Sequence, residues 1–511
     1  MKKILLLNMH NITRYIFIAV QYSMLVLHAF PYSTMAQSID MLCDKECISA
    51  SSETMKNISF INKLTDDQHH FILYDLHNEH VIARHNIHRK IIPASVIKAF
   101  TASYALRKLG SDFKFVTRLG VIRKETPDGS MLNDVYIVGG ADPVLDNTSL
   151  HGLIKDFLLS QDAKHYTTDN FFYVSPDINT VHLLSAYQPR TASYNAGISG
   201  LNLNFNRALA AWNNQVSDNF LYLIAKGDKL STVIPMSKQL FNQETIDKYQ
   251  SLAKKSHIHG KGSVWLPVHD SALYTATVFS ILMNKEGLAL PTPLRKDTIP
   301  DNIQFVAYHY SPPLRKILND MLLYSTNTTA EIVGATAATS DLKQQSSNIE
   351  DTHQHNKINM MNRWTNNFLD TAGNDSITLH NFSGLSAHAS LNVANIFKFL
   401  HIHHNEAENI LNDILPDMFK EIFTNEKKDY LHLPAKTGSM HYARSIAGYI
   451  RVHNKNRYIF VISTHNSRMR KMIDKSGGYG GRTEIKWLEN AQQNEKDILK
   501  QWLSEYVNTE K

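Results

Sequence analysis

The spacing of hydrophobic and polar positions changes several times along the chain, and each change marks a segment. Residues 70–76 and 81–85 are short apolar runs separated by Asn78 and Glu79, a pattern that predicts two strands joined by a turn. A polar link leads to Pro93, and from there to Gly110 the pattern predicts a helix with proline at its entrance and glycine at its exit. Val96, Ile97, Ala99, Phe100, Ala102, Tyr104, Ala105 and Leu106 leave it almost no polar side, so it is expected to be buried all round. Beyond Ser111 the pattern becomes strand-like, with runs at 115–122, 135–138, 171–174, 201–205 and 220–224. Turn chemistry at Pro127-Asp128-Gly129 and across 139–143 separates them. From Leu266 the period is helical, at 270–282, 312–323, 329–338, 364–369 and 393–400. The polar stretch 339–357 is expected to be a surface loop, and 381–386 a loop as well. Runs at 433–440, 445–452 and 458–464 follow one another closely, as in an antiparallel meander. A glycine-rich loop at 476–481 and an amphipathic helix carrying Ile498, Trp502, Leu503 and Val507 complete the chain. That helix is short and not especially basic, so packing on the sheet is expected rather than membrane binding.

These shifts predict four parts: a leader at 1–36, a first catalytic segment at 37–111, a β-rich insertion of one or two small domains at 112–265, and a second catalytic segment at 266–511. A chain of 511 residues exceeds one simple core, which agrees with such a division. The leader begins with Lys2 and Lys3, continues through an apolar run at 15–30, and offers small residues at Thr34-Met35-Ala36. It reads as a secretory signal. Gln21, Ser23 and His28 interrupt the run, which is shorter than the ~20 apolar residues of a membrane span. The mature protein is therefore expected to be exported, periplasmic, and without a stable span. Cys43 and Cys47 are the only cysteines. They allow a local disulfide in an oxidising compartment and make a poor metal site. Leu42 before Cys43 is too large for a lipidation box.

Composition changes this picture little. The formal charge is +6, and Lys2, Lys3 and Arg14 supply half of it; the remaining 50 Lys and Arg against 47 Asp and Glu leave +3. That balance, with no aromatic-basic stripe, argues against nucleic acid.

The candidate chemistry lies in three short motifs. Ser95 and Lys98 are three residues apart and share a face at the first turn of the buried helix. A serine beside an amine, near a helix N-terminus, has the parts of an activated nucleophile. The spacing alone is weak, since Ser111, Ser251 and Ser340 repeat it, Ser-x-Asn recurs at Ser193, Ser217, Ser346 and Ser390, and Lys-[Thr/Ser]-Gly recurs at Lys475. Order and setting discriminate. Ser95 alone opens a buried helix after a strand pair, Ser325-Thr326-Asn327 alone fills a gap between apolar helices, and Lys436-Thr437-Gly438 lies in the first meander strand. In this set Lys98 is the expected base, partly neutral because burial and the Lys436 charge lower its pKa. Ser325 is expected to relay a proton to the leaving group. Asn327 is expected to orient Lys98 and hold a substrate amide. Lys436, Thr437 and Ser439 are expected to bind a substrate carboxylate, and the backbone N–H groups of Ser95 and Ser439 to form an oxyanion hole.

With these motifs in this order, separated by a long insertion after Ser95, the chain resembles the low-molecular-mass class C penicillin-binding proteins, the D-alanyl-D-alanine carboxypeptidase/endopeptidase family. Residues 139–143, 194–199 with 203–206, 266–268 and 383–386 resemble that family too. The resemblance implies an α/β fold: a transpeptidase/β-lactamase-like domain, an antiparallel sheet flanked by helices, interrupted by the insertion. It implies a serine peptidase acting on peptidoglycan stem peptides through an acyl-enzyme at Ser95, inhibited by β-lactams, with no cofactor and no metal. It leaves a homodimer open. Asn381-Phe382 stands where the family usually has Asp-Gly, and Ala387-His388 stands where a basic residue often follows. Two other readings remain at this point: a β-lactamase or esterase on a similar fold, and a peptidoglycan-binding protein with a lapsed site. His401, His403 and His404 are expected at the surface rather than on zinc. The 139–143 stretch is expected to be a tight turn and Asp142 to need no acid–base role. Ser383 is expected to line or brace the cleft.

Overall fold

The computed structural model describes residues 68–160, 167–213, 220–256, 261–345, 354–373, 376–407, 409–423, 429–476 and 481–507. The expected leader, both cysteines and most of the glycine-rich loop lie outside them.

The strand pair forms as expected: β1 (His69–Asp75) and β2 (His80–His85) pair antiparallel. A short β3 (Lys90–Ile91) leads through a 3-10 turn at Ala94–Val96 into α1 (Ile97–Leu109). Gly110, at φ 84°, ends α1. Phe100, Ala102, Tyr104 and Ala105 are wholly buried, and so are the polar Lys98 and Thr101, so the helix is enclosed on every side through Ala105, and its last turn reaches the surface at Arg107.

The insertion contains β4 (Val116–Glu125), β5 (Met131–Val138), α2 (Asn147–Ser160), β6 (Thr167–Val174), β7 (Arg207–Asn213), β8 (Phe220–Lys226), β9 (Ser231–Val233) and β10 (Lys261–Pro267). It does not end near 265. Helix α3 (Ser271–Lys285) and strands β11 (Pro293–Lys296) and β12 (Gln304–Tyr310) also belong to it. One sheet has the order β11-β6-β5-β4-β12 and the other β10-β7-β8-β9. Tyr274 and Phe279 of α3 are buried in one core with Leu119, Val135, Phe157, Ala210 and Leu223, so the two sheets share their hydrophobic interior. A helical period identifies α3 but not the domain it serves, and that is why the sequence boundary falls short.

The strand expected at 201–205 is absent. Asn204, Phe205 and Asn206 all have positive φ, at 51°, 56° and 55°. Asparagine side chains take the place of a ladder: Asn206 Oδ1 accepts from Leu203 N at 3.1 Å, Asn206 Nδ2 donates to Asn202 Oδ1 at 2.8 Å, and Asn204 Nδ2 donates to Asn147 Oδ1 at 2.7 Å. Local side-chain bonds of this kind compete with strand pairing, and asparagine tolerates the left-handed region.

The chain then returns through α4 (Leu314–Tyr324), α5 (Asn327–Gln345), α6 (Gln354–Phe368), β13 (Leu391–Asn392), which pairs with β3, and α7 (Val393–His404). Of the expected loop at 339–357, the described residues at either end are helical, through Gln345 and from Gln354, and polar residues there have interior partners. Asp341 accepts from Tyr104 Oη at 3.1 Å and from Lys108 Nζ at 2.8 Å, and the buried Lys357 donates to the Asp177 carbonyl at 2.8 Å. The meander is β15 (Ala435–Met440), β16 (Ala443–Val452) and β17 (Lys455–His465), preceded by β14 (Leu431–His432). It joins β1 and β2 in a sheet of order β14-β16-β17-β1-β2, with β15 paired to the same strand as β14. Helix α7 packs on β1 and β17, and α8 (Gly481–Trp502) packs on β16. Trp502 meets Phe71 edge-on at 5.9 Å, so the C-terminal helix covers the sheet as expected. Among the described residues, no helix is long and apolar enough to cross a membrane.

Of the three histidines at 401–404, His401 and His404 are half-buried and His403 departs from the surface expectation. His403 is buried, with Nε2 bonded to Ser103 Oγ at 2.8 Å and Nδ1 to Glu406 Oε2 at 2.8 Å. Burial holds its pKa below the usual imidazole value. Among the described residues, no group of three or more His, Cys, Asp or Glu is arranged to hold a metal.

Candidate active site

Ser95 sits in the 3-10 turn before α1, not inside the α-helix proper. Its neighbour Ala94 has φ +47°, a left-handed conformation uncommon for a residue with a Cβ. Two glycines hold this turn from either side. A Cβ on Gly384 (φ +77°) would lie 2.0 Å from the Ala94 carbonyl oxygen. One on Gly438 would lie 2.5 Å from the Pro93 carbonyl oxygen and 2.8 Å from Ser95 N. The glycine of Lys436-Thr437-Gly438 is therefore required by backbone-to-backbone approach. It brings β15 alongside the serine turn, so the backbone of Ser95 lies next to the strand that carries Ser439.

Lys98 is wholly buried, and its ammonium end has three partners. Nζ lies 2.8 Å from Ser95 Oγ, 2.7 Å from Asn327 Oδ1 and 2.8 Å from the Ser383 carbonyl oxygen. Two of these can only accept. In the neutral form its two N–H donors serve those two acceptors, and its lone pair is left to receive the Ser95 hydroxyl proton. Burial first, and then the Lys436 charge, hold the Lys98 pKa well below the ordinary lysine value, while Glu331 opposes them. With its pKa lowered, Lys98 has a position and a burial from which it can act as a general base toward Ser95.

Asn327 opens α5 after Ser325, which caps α4 in the left-handed region at φ 54°, ψ 40°. That turn brings Asn327 onto Lys98. Among the described residues, no hydrogen bond joins Ser325 to Ser95 or Lys98; its link to the pair is its place two residues before Asn327. Asn327 Nδ2 donates to the Tyr194 carbonyl of the insertion at 3.1 Å, so the same amide ties the two parts of the molecule together at the site.

Lys436 is buried on β15, and its Nζ donates to the Thr437 carbonyl at 2.8 Å. Burial, helped by the Arg444 charge, lowers its pKa to about 7. Thr437 is half-buried and Ser439 exposed on the same strand. The structure therefore brings Ser95, Lys98 and Asn327 into direct contact, sets Lys436 close enough to act on Lys98 by charge, and carries Thr437 and Ser439 past them on β15.

Several contributors escaped the sequence reading. Glu331, on α5, is buried and accepts from Ser383 N at 2.9 Å, so it fixes the loop whose carbonyl receives Lys98. Its pKa is raised by burial. A signal existed: it is the only charge in the otherwise small and apolar 328–338 stretch. Ser383 braces the site through its backbone, as expected. The departure at Asn381-Phe382 is absorbed by packing. The Phe382 ring fills the space over Gly334, its carbonyl accepts from Thr101 Oγ1 at 2.6 Å, and Asn381 Oδ1 accepts from Gly384 N at 3.0 Å. Ala387-His388 differs, because the His388 ring lies at the loop's edge, 5.1 Å from Tyr187 of the insertion. Arg444 and Glu495, which bond to one another beside Ser439, left no mark in the sequence pattern.

Comparison with known proteins identifies the family and the fold. The model of the D-Ala-D-Ala carboxypeptidase 3 (S13) family matches residues 54–477. The crystal structure of penicillin-binding protein 4 from Haemophilus influenzae is similar over 87% of this chain and 99% of its own, with a TM-score of 0.63 and 17% identity. The same protein complexed with a β-lactam gives a TM-score of 0.61 at the same identity and coverage. These likenesses show the fold. No curated protein sequence matches the chain.

Proposed function

The chain belongs to the D-Ala-D-Ala carboxypeptidase 3 (S13) family, and from that premise we propose that Ser95 is the nucleophile with which it cleaves peptidoglycan stem peptides. The protein is a serine D-Ala-D-Ala carboxypeptidase. In the reaction we propose, Lys98 takes the Ser95 proton as Oγ attacks the carbonyl of the penultimate D-alanine. The oxyanion is met by the backbone N–H groups of Ser95 and Ser439. Ser325 relays to the departing amine the proton that Lys98 took, D-alanine leaves, and water resolves the ester with Lys98, neutral again, as base. Cross-linked stems are cut by the same steps, which makes the protein a D,D-endopeptidase as well. Lys436, Thr437 and Ser439 hold the substrate carboxylate. β-Lactams acylate Ser95, in keeping with the β-lactam complex of the Haemophilus influenzae protein. The Lys2–Ala36 leader and the peptidoglycan substrate support a periplasmic location. The observation that carries the proposal is the three-partner cradle of Lys98 Nζ.

The test is incubation of purified protein with monomeric and cross-linked muropeptides. Release of D-alanine from the first and loss of the cross-link in the second are expected; neither occurring would overturn the proposal. Rapid turnover of a β-lactam, in place of a long-lived adduct, would point to a β-lactamase.

The pH profile follows from two lysines used in opposite states. Lys98 must be neutral, so kcat/KM falls on the acid side as Lys98 gains a proton. Lys436 must be charged to hold a carboxylate, and its pKa of about 7 means the free enzyme loses that charge as pH rises through neutrality. A falling alkaline limb of kcat/KM near pH 7 is expected. Lys436→Arg, whose guanidinium stays charged across the whole working pH range, should remove that limb while lowering the maximum. An alkaline limb that persists in the variant would assign it elsewhere.

A further inference from the structure

The strand that carries the carboxylate-binding residues has an unexplained attachment on the side of the C-terminal helix. Ser439 of β15 stands directly opposite Arg444 of β16 in the sheet register. Arg444 Nη1 donates to Ser439 Oγ at 3.0 Å. The other edge of the guanidinium forks onto Glu495 of α8, with Nε to Oε2 at 2.8 Å and Nη2 to Oε1 at 2.7 Å. Glu495 is 3% exposed, and the Arg444 side chain is largely covered. A two-point fork on a buried carboxylate fixes a guanidinium in plane and direction. Neither group is needed to hold the sheet together, because β15 already pairs along its full length with β16.

Resting on the reading of Lys436, Thr437 and Ser439 as the carboxylate pocket, we propose that Arg444, held by Glu495, is a positioning residue that makes this pocket selective for a free carboxylate beside the scissile amide. The reason is a proton count. A guanidinium has only donors, so Ser439 Oγ accepts from Arg444 and must direct its own hydrogen elsewhere. The exposed side of Ser439 is the cleft side of an edge strand, where an acceptor on the substrate completes the chain Glu495–Arg444–Ser439–carboxylate. A carboxylate oxygen is a stronger acceptor for that hydroxyl than an amide oxygen, and an amide carries no charge to meet those of Arg444 and Lys436. The Arg444 charge also adds to that of Lys436, favouring an anion at this position. Burial first, and then the Arg444 charge, lower the pKa of that lysine. The ligand chemistry selected is thus a D-amino acid leaving group with an ionised carboxylate over the same group amidated.

The experiment compares kcat/KM for a stem-like peptide ending in D-Ala-D-Ala with that for its C-terminal carboxamide. The carboxylate-to-amide ratio is measured in the full-length wild type, Arg444→Gln, Arg444→Lys and Glu495→Gln. Loss of a hydrogen bond directed to a charged group predicts that the ratio falls about 10-fold in Arg444→Gln, chiefly through a higher KM for the carboxylate peptide. Glu495→Gln, which retains Arg444 but loosens it, should show a smaller fall. Arg444→Lys, which keeps the charge but loses the fork, should lie between Arg444→Gln and wild type. Should Arg444→Gln fail to fold because it strands Glu495, the other two variants carry the test. A ratio unchanged in every folded variant, with both substrates slowed alike, would overturn the proposal and leave Arg444 a merely structural residue. If the wild type cleaves neither peptide, it is the reading of the site itself that fails.

Discussion

Ser95→Ala is expected to lower D-alanine release by about ten-thousand-fold or more and to abolish covalent labelling by a fluorescent penicillin. The size follows from what remains. Alanine at 95 leaves Lys98 in place with Asn327 and the Ser383 carbonyl, and leaves the carboxylate residues of β15 untouched, but no atom is left to form the ester. The turn should survive the change. Ser95 is half-buried, its hydroxyl bonds to Lys98, and the strained element is Ala94, held by Gly384 and Gly438. The variant should therefore melt close to wild type and still bind substrate non-covalently. Hydrolysis measured by D-alanine assay, beside a thermal melt, separates this outcome from unfolding. Strong labelling that persists in Ser95→Ala would remove Ser95 from the mechanism.

Lys98→Gln should be nearly as severe, lowering the acylation rate by a factor of about 10² to 10⁴, the range supplied by a positioned base, with little change in KM. Glutamine can donate to Asn327 Oδ1 or to the Ser383 carbonyl from within the same burial, but it has no lone pair of comparable basicity to turn to Ser95. The acid limb of the pH profile should disappear with it, because that limb reports the protonation of Lys98. Lys98→Arg distinguishes base from mere charge: a guanidinium cannot be deprotonated, so it should not restore activity. Acylation followed with a chromogenic or fluorescent β-lactam under single-turnover conditions checks both variants. A Lys98→Arg enzyme that acylates at the wild-type rate would show that the lysine serves only as a cation.

The parts of this molecule that were legible in the sequence are those with local signatures. The β1–β2 pair, the all-round apolar α1 and the β15–β17 meander each carry their period within a dozen residues. Ser95 and Lys98 could be paired because they are one helical turn apart. Their meeting with Asn327, more than two hundred residues away, was legible only through the order of the motifs and the family resemblance that order carries. What stayed hidden is what depends on distant partners. Strands β11 and β12 look like other short polar-apolar runs until β6 and β4 are seen beside them. The 201–205 run is apolar at alternate positions, yet Asn202, Asn204 and Asn206 bond the chain into a turn. His403 reads as surface until Ser103 and Glu406 are seen on either side of its ring. Glu331 and the Arg444–Glu495 pair are ordinary charges in a sequence; burial against one specific partner is what gives them a role.

The central claim is that Ser95 forms the acyl-enzyme. It is tested most directly by incubating the purified protein with a penicillin, digesting it, and locating the added mass by tandem mass spectrometry. The account predicts a single penicilloyl adduct on the peptide that carries Ser95-Val96-Ile97-Lys98, localised to the serine. An adduct on any other residue, or full occupancy elsewhere with Ser95 unmodified, would contradict it.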